Sequence, residues 1–414
     1  MNKKIKSIYI SNATLVFHRT VQIIGSISWK TVTLFSVGLI FAIALRLSLI
    51  DYKTLDFYAS LKPWYNTIFA EGFSAFGTNF STYNPPYLYL LYVIARLFPN
   101  LPTVLVVKLP SLVADFICGY FIYRIVQIKY KDSLIPYVAG MTILFAPTVV
   151  LNSAFWGQAD SLFTAGILAC IFFLLVNRNI WAFICFGIAM AFKLQAIFLA
   201  PVLIVLFLRK TVSWKCFLII PAMLILALVP AWFAGRPVLD LMNIYLYQTS
   251  QFQLLTMNAA SIYSWLPTTN QVFNLFYLPG VFAGAIVAFM LIFLAYKSPN
   301  ELSKAIILEF GLLTTIVIPF FLPKMHERYF YPADIISIAF AFYYPQFFYI
   351  PFLVGGVSFF SYQSFLFNSM PIPLPILTLV LLLAISILTY HFLCQIYSLN
   401  SLNLNSKNEN NQKN

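Results

Sequence analysis

Apolar runs close to the ~20 residues that cross a ~30 Å hydrocarbon core recur along the whole of this 414-residue chain. No water-soluble fold can hide that much apolar surface. Composition agrees: 61% of residues are hydrophobic, 9% are charged and the mean hydropathy is +0.86, whereas an average soluble domain carries about 25% charged residues. The predicted fold class is all-α, a polytopic transmembrane helical protein whose body is the bilayer-embedded part, not a soluble domain with an anchor.

Charge and cysteine usage narrow the class. A net charge of +13 suits nucleic acid only where basic residues form a dense patch, and here they are scattered at helix ends. An excess of Lys and Arg on cytoplasmic loops explains them better. Lys3, Lys4, Lys6, Arg19 and Lys30 precede the first long apolar run without a small-residue cleavage site, so residues 1–30 read as a retained cytoplasmic leader. Cys118, Cys170, Cys185, Cys216 and Cys394 stand singly inside apolar runs, without the spacing of a disulfide framework or zinc site, and read as small core residues. Residues 398–414, rich in Asn and Ser, have too little apolar content to fold and are expected to be a disordered cytoplasmic tail.

In the remaining transmembrane domain, 31–397, spans are expected at 31–50, 104–123, 134–151, 161–176, 180–192, 195–208, 213–233, 278–296, 305–322, 329–345, 346–367 and 375–393, about 12 crossings with both termini inside. Outer loops then fall at about 51–103 and 234–277. The apolar piece 86–98 has ~13 residues, too short to cross at 1.5 Å per residue, and opens on Pro85-Pro86 as helix starts often do. It reads as a juxtamembrane or re-entrant helix, since a crossing there would put Arg124, Lys129 and Lys131 outside. On this map 16 Lys and Arg face the cytoplasm and 9 face out. The short spans at 180–192 and 195–208 imply a thinned bilayer or a watery recess at their outer junction, beside Lys193 and Gln195.

Asp51, Asp56, Asp160, Lys193, Arg236, Asp240, Lys324, His326, Glu327 and Arg328 all fall in outer loops or at outer helix ends, where ionisable groups mark a functional site by default. A solvated charged rim is the plain alternative. Three clusters argue against it. Asp56 lies beside Phe57, Tyr58, Trp64 and Tyr65, and a partly desolvated carboxylate suits a general base. N-S-A-F-W-G-Q-A-D (152–160) packs polar and aromatic groups where a plain hairpin needs only its Gly. K-M-H-E-R-Y (324–329) sets three potential cations beside a carboxylate, a pattern suited to an anionic lipid phosphate. Neither a nucleotide-phosphate loop nor a His-Glu-x-x-His pattern occurs, and His18 and His391 lie on the other side from His326. Soluble nucleotide donors and structural zinc are not expected; no cofactor is assigned and dependence on a divalent metal stays open.

Six short pieces stand in a fixed order between residues 50 and 335: Leu55-Asp56 followed by Trp64, Y-N-P-P-Y-L-Y-L-L (83–91), K-L-P-S-L-V-A-D (108–115), N-S-A-F-W-G-Q-A-D-S-L (152–162), F-K-L-Q-A (192–196) and K-M-H-E-R-Y (324–329). Together they resemble the GT-C superfamily of polyprenyl-phosphate-sugar-dependent glycosyltransferases, in particular bacterial relatives of the second GPI mannosyltransferase and the dolichyl-phosphate-glucose glucosyltransferases. The resemblance implies transfer of a hexose, mannose or glucose, from a polyprenyl-phosphate-linked donor to a hydroxyl of a glycan, lipid or protein acceptor. It places this on the extracytoplasmic face, in the plasma membrane if the source is prokaryotic. It maps the catalytic base onto Asp56. From the residues themselves Asp51 is the main rival, and the substrate-binding candidates are Trp156, Gln158, Asp160, Lys193, Gln195, Lys324, His326, Glu327 and Arg328. Where that family often has Lys-Pro-Gln, this chain has Lys193-Leu194-Gln195. Beyond residue 345 the resemblance carries no information.

Two other classes compete. A lipid-linked-sugar flippase or other transporter uses ionisable groups near the bilayer midplane; here mid-span positions are almost wholly apolar, with Asp115 and Glu309 as exceptions that have no evident cationic partner in sequence, and no matched pair of interrupted helices or fixed-period repeat is visible. A non-catalytic scaffold has no need of three polar clusters on one face.

Overall fold

The computed structural model describes residues 29–250 and 252–397. The expected disordered tail and nearly all of the expected leader lie outside the described residues. The chain divides into two units, Met1–Leu45 and Arg46–Asn414, and the site belongs wholly to the second.

Each of the twelve segments read as a span is helical. Helix α1 is Trp29–Leu49. A π-helical turn, Phe57–Leu61, leads into α2 (Lys62–Glu71), followed by α3 (Pro85–Leu97) and α4 (Thr103–Lys129). Helix α5 (Ile135–Phe145) breaks at Pro147, whose ring cannot continue a helix, and bends by 48° into the short α6 (Pro147–Val150) and a second π-helical turn, Leu151–Trp156. Then come α7 (Asp160–Leu175), α8 (Asn179–Phe192), a 3₁₀ stretch Leu194–Leu199 that runs into α9 (Ala200–Leu208), and α10 (Ile219–Phe233). The last five are α11 (Asn270–Lys297), α12 (Lys304–Phe321), α13 (Tyr331–Tyr343), α14 (Ile350–Leu366) and α15 (Leu374–Tyr397). Thr269 and Ser303 start α11 and α12 by accepting the backbone N–H groups of Val272 and Ile306.

Among the described residues, six helices are long and apolar enough to cross a membrane, or seven with the bent 135–156 pair counted as one span. The other five expected spans are helices of 13 to 17 residues. Length and composition thus qualify six or seven of the twelve. Helix α3, with 13 residues, reaches only about 20 Å. It buries Tyr87, Leu88, Leu91 and Ala95 and exposes Val93 and Leu97, a helical stripe worth roughly 1.5–3 kcal/mol per large side chain. That stripe packs α3 with Trp64 and Ile68 of α2 against Val106 and Val107 of α4, forming a small separate core. The larger core joins α4, α5, α7, α8, α9 and α12 to α15. Helices α4 and α5 touch backbone to backbone at Gly119 and Gly140, where a Cβ on Gly140 would lie 2.9 Å from the Gly119 carbonyl.

Charges inside the spans correct the sequence expectation. Asp115 does have a cation: Arg46 Nε and Nη2 lie 3.0 and 2.9 Å from its Oδ2, with both side chains buried. Glu309 pairs with His391 at 2.7 Å. Asp334, a third buried carboxylate that the sequence reading passed over, accepts a bond from Ser358. Removing one partner of such a pair costs about 3–5 kcal/mol, because the other is left buried and uncompensated. Arg46 and Lys108, counted among the nine outward-facing bases, are both buried. Elsewhere Arg209 donates to the carbonyls of Ala295, Ser298 and Asn300, at and just beyond the end of α11, and Lys129 to that of Tyr343 at the end of α13, cations set on helix C-termini.

One feature had no sequence signal. A two-stranded parallel ribbon pairs β1 (Thr256–Met257) with β2 (Met325–His326), extended by Lys324 N–H to the Leu255 carbonyl and Glu327 N–H to that of Met257. It fastens the segment between α10 and α11 onto residues 324–329.

Candidate active site

The loop before α7, the junction after α8, the segment after α12 and the loop after α1 converge on one polar cluster. Asp56 heads the first π-helical turn. Its Oδ2 accepts two hydrogen bonds, from Trp156 Nε1 at 2.8 Å and Gln158 Nε2 at 2.6 Å, and its Oδ1 accepts none among the described residues. Tyr83 holds Gln158 from behind, donating to Oε1 at 2.8 Å. The carboxylate is therefore oriented by two donors on one oxygen, and the other is unengaged among the described residues. Asp51, by contrast, is exposed and makes no bond to this group.

Beside it lies a buried ionic group. Asp160, with no exposed surface, pairs with Lys193, accepts from Asn152 Nδ2 at 3.0 Å and lies 3.6 Å from Arg328 Nε. Arg328 Nη1 is 3.3 Å from Glu327 Oε1, and its guanidinium sits over the Trp156 ring at 5.3 Å. Trp156 in turn stacks on Phe365 at 4.7 Å and meets the edge of Tyr362, both from α14. Lys193 faces the rings of Phe163 and Tyr329. Gln195 interacts with Tyr329, and its buried Oε1 has no hydrogen-bond partner among the described residues. Lys193, His326 and Arg328 keep 12–15% side-chain exposure while Asp160 keeps none; the cationic edge is the side open to a ligand.

The charge states differ from the sequence expectation. Burial, with Arg328 and Lys193 adding to it, pushes His326 well below its usual range. These surroundings favour the neutral imidazole, held between Phe252 and Tyr329, so burial disfavours His326 as the third cation. Burial raises Glu327 to about 7, with Arg328 opposing and Asp56 and Asp160 reinforcing the shift. Arg328 is driven above its ordinary value, the attraction of Glu327 and Asp160 outweighing desolvation. Burial depresses Lys193, and Asp160 opposes that. Lys324 does not join the cluster. Its backbone turns at φ +63° and its ammonium lies over Tyr277 and Phe273, at 4.6 and 5.2 Å.

Of the ten residues singled out, the structure brings together Asp56, Trp156, Gln158, Asp160, Lys193, Gln195, His326, Glu327 and Arg328 and leaves Lys324 aside. Missed from that set were Tyr83, Asn152 and Tyr329, all inside the quoted motifs, and Tyr362 and Phe365, which lie in an apolar span and carry no sequence signal. Among the described residues no group of three or more His, Cys, Asp or Glu is placed to hold a metal ion.

No protein-family profile matches the chain, and no curated protein does. Among solved structures, ArnT from Cupriavidus metallidurans, crystallised with bound undecaprenyl phosphate, superposes on 89% of this chain and 78% of its own with a TM-score of 0.54 and 12% sequence identity. The chain therefore has the polytopic helical membrane architecture seen in ArnT.

Proposed function

We propose that this chain is an integral membrane glycosyltransferase that moves a hexose, mannose or glucose, from a polyprenyl-phosphate-linked donor to an acceptor hydroxyl at the extracytoplasmic face. The observation that carries the reading is Asp56, fixed through one oxygen by Trp156 and Gln158 and free at the other, next to the cationic edge of Lys193 and Arg328. Asp56 Oδ1 takes the proton of the acceptor hydroxyl as its oxygen attacks the sugar C1 in line. The C1–O bond to phosphate breaks, and polyprenyl phosphate leaves with the electron pair, inverting C1. Arg328 and Lys193 stabilise the phosphate charge that develops where water is scarce, and Asp160 holds both in place. The phosphate-bound state of ArnT supports the donor class.

The test is transfer itself. Purified protein given labelled polyprenyl-phosphate mannose or glucose, with extracted lipids as acceptors, is expected to label an acceptor and release polyprenyl phosphate. The buried charges in the spans give the transporter alternative more weight than the sequence did. Against it, Arg46–Asp115 and Glu309–His391 are paired within the helix packing. Movement of intact donor lipid across proteoliposomes without transfer would overturn the transferase reading.

A pH dependence follows from Glu327. Its folded-state value, about 7, lies above the ordinary carboxyl value, so its neutral form is favoured in the folded protein. The stability this contributes is full below the unfolded value and lost as pH rises through about 7. Above that, the Glu327 carboxylate competes with a phosphate for Arg328. Polyprenyl-phosphate affinity is expected to weaken between about pH 6 and 8 more in wild type than in Glu327→Gln; titration of the lipid phosphate itself cancels in that comparison. Identical profiles would remove Glu327 from the ligand's electrostatics.

A further inference from the structure

The motif K-L-P-S-L-V-A-D (108–115) lies on α4, behind the cluster, and the mechanism above makes no use of it. Lys108 is 1% exposed, and among the described residues no carboxylate lies within salt-bridge range of its Nζ. Instead four carbonyl oxygens surround it: Ile50 at 2.9 Å, Tyr52 at 2.7 Å, Ala154 at 2.7 Å and Phe155 at 3.0 Å. An ammonium has three N–H donors, so all are used and shared. The first two carbonyls begin the loop that carries Asp56; the other two immediately precede Trp156.

The rest of the motif grips the same segment. Residues 108, 111 and 115 share one helical face. Ser161 donates to the Ser111 carbonyl at 2.9 Å, and Ser153 donates to Asp115 Oδ2 at 2.5 Å, on the carboxylate that Arg46 neutralises. Gly157, at φ +84°, crosses the Lys108 stem so closely that a Cβ would lie 3.3 Å from its Cγ. One helix face thus holds residues 153 to 161, and its lysine also holds residues 50 to 52.

We propose that Lys108, seconded by Asp115, is a positioning residue of the site: it ties the base-bearing loop and the Trp156 segment to one ammonium, and so sets the hydrogen bond between Trp156 and Asp56. This rests on the reading of Asp56 as the base. Lys108 touches no substrate and acts through the geometry of those two segments. Replacing it by Met keeps the stem and removes every tether.

Two measurements on the full chain in nanodiscs test this. Backbone hydrogen exchange in Lys108→Met is expected to accelerate together in residues 50–57 and 153–158, with the 324–329 segment unchanged; unchanged exchange in either target segment overturns the brace. Turnover is expected to fall by about 10²-fold, the cost of a misplacement near 1 Å, with donor KM unchanged. In a Trp156→Phe background, where the hydrogen bond is already absent, Lys108→Met is expected to cost less than about threefold more. Additive losses, or a KM effect equal to the kcat effect, would reduce Lys108 to a general stabiliser. Ser153→Ala, which loosens the same segment by one bond, serves if Lys108→Met does not fold; faster exchange at 153–158 supports the proposal and none overturns it. A wild type that transfers no hexose defeats the proposed function, while the exchange result still decides the brace.

Discussion

Asp56→Asn is expected to lower turnover by about 10² to 10⁴ and to leave polyprenyl-phosphate binding within about twofold of wild type. The amide matches the carboxylate in size, and its oxygen still accepts from Trp156 and Gln158. What it loses is the unengaged carboxylate oxygen proposed as the proton acceptor, so the ground-state site is expected to survive and the chemical step is not. Asp51→Asn is the internal control. That side chain is exposed and lies outside the Trp156 and Gln158 bonds, so near-normal turnover is expected. An active Asp56→Asn beside an inactive Asp51→Asn would show the base to be wrongly assigned.

Arg328→Ala is expected to weaken polyprenyl-phosphate binding roughly 10-fold to 150-fold, since a charge-assisted hydrogen bond contributes about 1.5–3 kcal/mol and 1.4 kcal/mol is tenfold. Arg328→Lys should restore only part, because a point charge cannot reproduce the guanidinium fork or its stacking on Trp156. The variant also leaves Asp160 and Glu327 without their shared cation, a loss of stability that any ligand would sense. The decisive comparison is therefore polyprenyl phosphate against uncharged polyprenol. A loss confined to the phosphate form supports the anion site; equal affinities of both proteins for both lipids would sink it.

Much of this was legible in the sequence because a membrane makes polar residues expensive. The apolar runs located the twelve helical segments read as spans, and the polar 152–160 stretch, the short helices around Lys193 and the polar 324–329 segment stood out against them; the bend at Pro147, inside the expected 134–151 span, did not. What stayed hidden was pairing between distant positions. Arg46 and Asp115 are 69 residues apart, and Glu309 and His391 are 82 apart; each alone looked unpartnered or misplaced. Lys324 was grouped with Arg328 because they are neighbours in sequence, but a left-handed backbone at Lys324 sends its side chain to another wall. His326 carried the right residue type for a cation, and only its buried surroundings, beside Arg328 and Lys193, favour the neutral form. The aromatic floor under Trp156 comes from residues 362 and 365, where side chains in an apolar span look alike whether they face lipid or the site.

The wide turn at Leu151–Trp156 has a consequence for helical phase. A π-helical turn closes on the fifth residue ahead instead of the fourth, which amounts to one extra residue within an otherwise α-helical path. Each α-helical residue advances the side chains by about 100°. Closing the segment as an ordinary α-helix would rotate Trp156 about a quarter turn away from Asp56, with the flanking helices in place. Related chains are therefore not interchangeable here by composition alone: one that lacks a single residue between Pro147 and Asp160 keeps the hydrophobic pattern and loses the aim of the indole.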